Sequence, residues 1–83
     1  MNEVFIIGKV VTEVKFDFIL SSKNISVSNF RLITVYDKQE INVITYDEMA
    51  DYTYANIKLG NIVMLKGYLE NDKVILEYIH IMN

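Results

Sequence analysis

Apolar positions in this chain recur mainly at a spacing of two. Val4 to Val11 is apolar and rich in β-branched residues, with Gly8 inside it. Val14, Phe16, Phe18 and Leu20 then alternate with Lys15, Asp17 and Ile19. A period of two predicts β-strand, and a glycine within a strand marks a bulge or a close backbone approach. These residues predict one long strand bent at Gly8, or two consecutive strands. Ser21-Ser22-Lys23-Asn24 predicts a turn, Ile25 to Tyr36 a second strand, Asp37-Lys38-Gln39-Glu40 a polar connection and Ile41 to Tyr46 a short third strand.

From residue 47 the spacing becomes helical. Met49, Ala50, Thr53 and Ile57 fall on one stripe. Asp47 is suited to cap the start, and Glu48 and Asp51 to the positive end of the helix dipole. Lys58 is expected in the last turn and Gly60 as a left-handed stop. Strand character returns at Ile62 to Leu69, Asn71-Asp72 predicts a hairpin turn, and Val74 to Ile81 a fifth strand.

The order is three strands, a helix, two strands. A long first strand allows the sheet to close on itself, which removes free edges, and the helix between strands three and four can plug one end of the barrel. The fold class is therefore all-β: a small five-stranded barrel in the element order of the OB-fold. An open five-stranded α+β sheet and an SH3-like barrel are the alternatives. The latter ranks lower because it has no real helix before its fourth strand.

Composition narrows the function. The chain has 83 residues and reads as one small domain, residues 1–83, without a linker or low-complexity segment. It has no cysteine, which excludes disulfides and thiolate metal sites. No apolar run approaches the ~20 residues of a membrane span, and the acidic start MNEVFIIGKV does not read as a signal peptide. The expected setting is cytoplasmic. His80 is the single histidine, the three glycines are isolated, and Asp47 with Glu48 is explained by helix capping. No catalytic residue, metal site or cofactor is expected, and the protein does not read as an enzyme. The net charge is −3, unevenly spread: residues 1–35 hold four cations against three carboxylates, residues 36–83 four against eight. Long-range attraction to phosphates is weak in such a chain, but a local basic face is compatible with it.

Three stretches carry a resemblance to a known family. They are Asn2 to Val10 (NEVFIIGKV), Ser28 to Thr34 (SNFRLIT) and Lys58 to Leu69 (KLGNIVMLKGYL), in the right order and spacing. Together they resemble the bacterial single-stranded DNA-binding protein family. The resemblance implies the OB-fold, binding of single-stranded DNA (or RNA) without sequence preference, and subunit pairing through the first strand. It implies a shortened form: the acidic C-terminal tail is lacking, Asn71-Asp72-Lys73 replaces a long loop, and Glu40 stands where the family has a tryptophan. Tyr46 keeps the aromatic that ends strand three, and Tyr36 is the nearest counterpart of another family aromatic.

Strand alternation supplies the face. With Phe30 and Leu32 inside the barrel, Asn29, Arg31 and Ile33 point outward. Ile41, Val43 and Thr45 then lie inside, with Asn42, Ile44 and Tyr46 outside. On strand four Val63, Leu65 and Leu69 go in, and Lys66 and Tyr68 out. Lys9 is re-aimed outward by a bulge at Gly8. The expected nucleic-acid-binding set is Lys9, Arg31, Tyr36, Tyr46, Lys66 and Tyr68 on one curved face, with cations tracking phosphates and rings stacking on bases. The bland alternative for Arg31, the single arginine, is a solvated side chain covering apolar surface. Tyr52, Tyr54 and Tyr78 read as packing residues, and Phe5, Phe16, Phe18 and Phe30 as core or interface.

Two functions follow. One is a single-stranded DNA-binding protein, expected as a homodimer or homotetramer. One barrel covers only several nucleotides, and the strand EVFIIGKV is apolar on both faces. The other is an OB-fold adaptor or accessory subunit of a replication, primosome or conjugation complex, working through protein contacts.

Overall fold

A computed structural model describes residues 2–20 and 24–83. Its elements are β1 (Glu3–Val10), β2 (Lys15–Leu20), β3 (Asn24–Thr34), β4 (Glu40–Tyr46), helix α1 (Asp47–Asn56), β5 (Ile62–Glu70) and β6 (Lys73–Ile81). The turn expected at 21–24 lies largely outside the described residues.

The sheet runs β1-β5-β6-β4-β3-β2, and β1 also pairs with β3 over Gly8–Val10. That second pairing closes the sheet into a barrel. All its ladders are antiparallel except β4–β6, which is parallel. β1 and β2 are the two halves of one bent strand, so the barrel has the five strands expected of an OB-fold. β2 pairs with β3 alone and extends beyond the barrel as an arm.

The bend does not lie at Gly8. The β1–β5 register runs unbroken from Glu3↔Tyr68 to Lys9↔Ile62, so β1 carries no bulge. The chain turns instead after Val10, where Thr12 Oγ1 accepts the Arg31 N–H at 2.9 Å. Gly8 serves close approach: a Cβ there would lie 2.6 Å from Leu32 Cδ1 and 2.9 Å from the Ile33 carbonyl oxygen. Plain alternation, with Gly8 buried and Lys9 exposed, is enough to turn Lys9 outward.

The core is the interior parity of β1, β3, β4, β5 and β6. Val10, Phe30, Leu32, Val43, Val63, Leu65 and Val74 are all at most 1% exposed. Of the four phenylalanines, Phe30 alone is buried, while Phe5 and Phe18 are exposed. Leu69 keeps inward parity but is 44% exposed. It lies at the end away from the helix, where a hollow of about 560 Å³ is bordered by Val4, Ile6, Ile41, Leu69 and Val74. Inward direction buries a side chain only where something covers the mouth.

Helix α1 covers the opposite end. Ala50 and Thr53 are buried and Ile57 is 4% exposed, as the stripe predicts. The ends differ from expectation. Tyr46 occupies the cap position without a side-chain cap bond, and Asp47 is the first helical residue, with φ 55. The helix ends at Asn56, before Lys58, because Ile57 is extended. Gly60, with φ 95, serves the following turn, where Asn61 N–H donates to the Lys58 carbonyl. Three hydroxyls fix the helix on the barrel: Ser28 Oγ is hydrogen-bonded to both Thr45 Oγ1 and Thr53 Oγ1, and Thr53 also donates to the Ala50 carbonyl. All three residues are fully buried, so their polar atoms depend on one another.

Candidate functional site

Inter-strand register defines the outer surface row by row. In one row Lys15 lies opposite Asn29, Asn29 opposite Ile44, Ile44 opposite Ile75 and Ile75 opposite Tyr68. In the next, Arg31 lies opposite Asn42 and Asn42 opposite Lys73. Beyond Ile44 on the same strand stands Tyr46, 41% exposed, opposite Val27. With strands spaced ~4.8 Å apart, the backbone positions of Arg31 and Lys73 are about 10 Å apart across the Asn42 strand. Beside Lys73, toward the Asn29–Ile44 row, is a shallow depression of about 150 Å³, lined by Asn29, Asn42, Ile44 and Lys73 above the buried Phe30 and Val43.

The chemistry of this face is mixed. Arg31 and Lys73 bring positive charge, Asn29 and Asn42 bring amide donors and acceptors, and Ile44 and Tyr46 bring flat apolar surface. Arg31 is ion-paired with Glu40, both side chains being half exposed. The pair is diagonal on the ladder, since Ile33 lies opposite Glu40. Solvated pairs of this kind are weak and exchange partners at little cost.

The six residues singled out from the sequence all have outward side chains, but they do not share one face. Arg31 and Tyr46 lie on the β3–β4 face, and Tyr68 is reached through Ile75 at its β5 margin. Lys66 belongs to a different row, between Phe5 and Tyr78, and is paired with Glu3 at 3.5 Å. Lys9 lies between Ile33 and Ile62, beside a separate hollow. Tyr36 is in the turn after β3, 89% exposed. That turn joins the Glu40 end of β4, and Tyr46 stands at the other end, about 20 Å away along a strand rising ~3.3 Å per residue. The closed barrel separates these groups because outward directions fan around a cylinder. Parity gives outwardness, not a common face.

Sequence reasoning missed Lys15 and Lys73. Outward parity already marked Asn29, Asn42 and Ile44. Lys73 enters through the parallel β4–β6 pairing, for which the sequence carries no local signal. Lys15 enters through the β2–β3 ladder, where alternation with Phe16 was the available clue.

On the other side of the β2–β3 arm, Phe16 stacks on Tyr54 with centroids 4.9 Å apart and meets Phe18 edge-on at 5.6 Å. Tyr54 therefore packs as expected, though it is largely exposed. Tyr52 and Tyr78 are half exposed instead of packed away. Among the described residues, no group of three or more His, Cys, Asp or Glu side chains is arranged to hold a metal ion, and no helix is long and apolar enough to cross a membrane.

No protein-family model matches the sequence, and no curated protein matches it. Solved structures do match in three dimensions. The SSB domain of a Synechococcus protein superposes with a TM-score of 0.86 at 16% identity, covering 96% of this chain and 94% of that one. The wild-type single-stranded DNA binding protein from Thermus aquaticus gives 0.84 at 17% identity, over 100% of this chain and 41% of its own length. The protein priB from Ralstonia solanacearum gives 0.80 at 13% identity, with 99% of both chains covered. At such identities the likeness establishes a shared fold: this chain has the OB-fold of bacterial SSB domains.

Proposed function

We propose that this protein holds single-stranded DNA without sequence preference across the outer face of β3, β4 and β6, and performs no chemistry on it. The observation that carries the reading is the row Arg31–Asn42–Lys73 beside Ile44 and Tyr46. Cations flanking an apolar, ring-bearing strip match a backbone with its bases laid flat, and stacking in such grooves is worth about 1–3 kcal/mol per base. The fold shared with a protein named for single-stranded DNA binding supports it.

Self-association is part of this reading. Leu69 N–H donates to the Asn2 carbonyl and Val10 N–H to the Asn61 carbonyl, so the even-numbered residues of β1 bond to β5. The backbone groups of Glu3 and Phe5 point the other way. β3 reaches β1 only from Gly8 onward. A second copy adding its own β1 to that edge gives a dimer and doubles the binding face.

A second reading, an adaptor working through protein contacts, is favoured by one observation: Arg31 and Lys66 each have a carboxylate partner within the chain, Glu40 and Glu3, with which a phosphate has to compete.

Fluorescence anisotropy of a labelled dT oligonucleotide separates the two. At ~20 mM salt, where phosphate contacts are strongest, the strand binds, and affinity falls steeply as salt rises. Absence of binding at that salt transfers the function to the adaptor reading. A parallel rU titration determines whether RNA is held equally well.

A further inference from the structure

We infer that the groove between α1 and β6 is a docking site for a lysine- or arginine-bearing, partly apolar segment of a partner protein. The inference does not depend on nucleic-acid binding. α1 rests on β3 and β4, and its margin toward β6 is left as a groove of about 420 Å³ lined by Glu48, Met49, Tyr52, Tyr78 and Ile79. Its apolar part is Met49 with the buried Ile79. Its walls are two rings, Tyr52 and Tyr78, 43% and 50% exposed.

Charge selects the occupant. Glu48 is in the wall, Asp51 follows one helical turn later, and Glu77 directly precedes Tyr78. The ion pairs among the described residues use Glu40 and Glu3 and leave these three carboxylates without a cationic partner. No lysine or arginine lines the groove. Helix-dipole stabilisation accounts for the acids of the first turn, Asp47 and Glu48; Asp51, expected from the sequence to share it, is the fifth helical residue and lies past that turn, and Glu77 is on a strand. Glu77 is presented by a fold device. Lys66 pairs with Tyr78 and Gly67 with Leu76, so Glu77 is the extra residue of a bulge beside the groove.

A polyphosphate strand is repelled by this surface. A cationic side chain is attracted by it and also takes the faces of the two tyrosines, where cation–π contact adds to the ion pair. The apolar strip requires that the cations be interleaved with aliphatic residues, which makes the occupant an amphipathic segment rather than a small amine. β1 edge pairing leaves the groove open, because β5 separates β1 from β6.

The test uses the full chain labelled with ¹⁵N and two end-capped peptides of about twelve residues. One repeats leucine and lysine in equal numbers, and the other replaces each lysine by glutamate. Titration with the lysine peptide is expected to shift the amides of Met49, Tyr52 and Tyr78 first. Glu48→Gln with Asp51→Asn is expected to weaken binding at least tenfold, and the strand variant Glu77→Gln, which leaves the helix intact, at least threefold. A dT oligonucleotide is expected not to displace the peptide. The inference is overturned by shifts confined to other acidic segments such as the β5–β6 turn, by equal binding of the glutamate peptide, by displacement with dT, or by both variants retaining full affinity. Loss of nucleic-acid binding in the anisotropy titration has no bearing on these results.

Discussion

Glu40 holds the guanidinium of Arg31 diagonally across the β3–β4 ladder, at the margin of the face proposed to meet phosphate that lies away from Tyr46. Both side chains are half exposed. An exposed pair contributes at most ~1 kcal/mol, so Glu40 competes with a phosphate for the cation more than it stabilises the fold. Glu40→Gln is expected to tighten dT binding about threefold, the ratio to which ~0.7 kcal/mol corresponds. Its urea midpoint should move little. Unchanged or weakened affinity removes Arg31 from the binding face.

The row structure predicts which cations matter. Lys73→Ala is expected to weaken strand binding and lower the slope of log affinity against log salt by about 1. Tyr46→Ala is expected to weaken it by about 1–3 kcal/mol with the slope unchanged, since stacking releases no counterion. Lys66→Ala, on a separate row and paired with Glu3, should leave affinity within about twofold of the parent. A ranking with Lys66 above Lys73 moves the interface to the β1–β5 side.

Two glycines should respond very differently to alanine. A Cβ at Gly67 would lie 2.2 Å from the Ile75 carbonyl oxygen and 2.9 Å from Val74 Cγ1. The obstacle is backbone in the β5–β6 ladder, and Gly67→Ala is expected to cost about 3 kcal/mol or more in urea unfolding. At Gly60 nothing lies within 4 Å of an added Cβ, and only the φ of +95 opposes it. Gly60→Ala is expected to cost about 1–2 kcal/mol. The reverse order of stabilities contradicts the packing of β6 on β5.

Thr53→Val keeps the volume of a fully buried side chain and deletes a hydroxyl bonded to Ser28. Ser28 and Thr45 then keep each other but lose the third member of the cluster. A cost of about 0.5–1.5 kcal/mol is expected, the net worth of one lost hydrogen bond, because Ser28 and Thr45 remain paired. A neutral result shows that the three hydroxyls do not anchor α1.

The open edge of β1 gives a test of subunit pairing. Phe5 is 68% exposed, and by the alternation of β1–β5 bonds its N–H is directed away from β5. Phe5→Pro therefore removes no ladder bond within the chain, while an added strand loses a donor and meets a ring. Light scattering is expected to give a dimer for the parent and a monomer for the variant, both folded by circular dichroism. A monomeric parent at high concentration overturns the β1 pairing.

Much of this was legible in the chain itself. Apolar spacing of two and the helical stripe of Met49, Ala50, Thr53 and Ile57 gave the elements and their order, because both periods are local properties of the backbone. Parity along β3 and β4 correctly turned Phe30, Leu32 and Val43 inward and Arg31, Asn42 and Tyr46 outward. Gly8 was recognisable as a special position, but whether it served a bend or a close contact depended on Leu32 and Ile33, which approach it from β3.

The sequence by itself determined the element types, the barrel-forming order and the inward or outward sense of the residues of β3, β4 and β5. Tertiary structure alone decided which outward residues are neighbours. The closing β1–β3 pairing and the parallel β4–β6 register put Lys73 in the same row as Arg31, across Asn42, and set Lys9, Lys66 and Tyr36 apart. Those pairings join residues far apart along the chain, and the energy that selects them comes from filling a shared interior, so the arrangement of the outer surface follows from how the core packs.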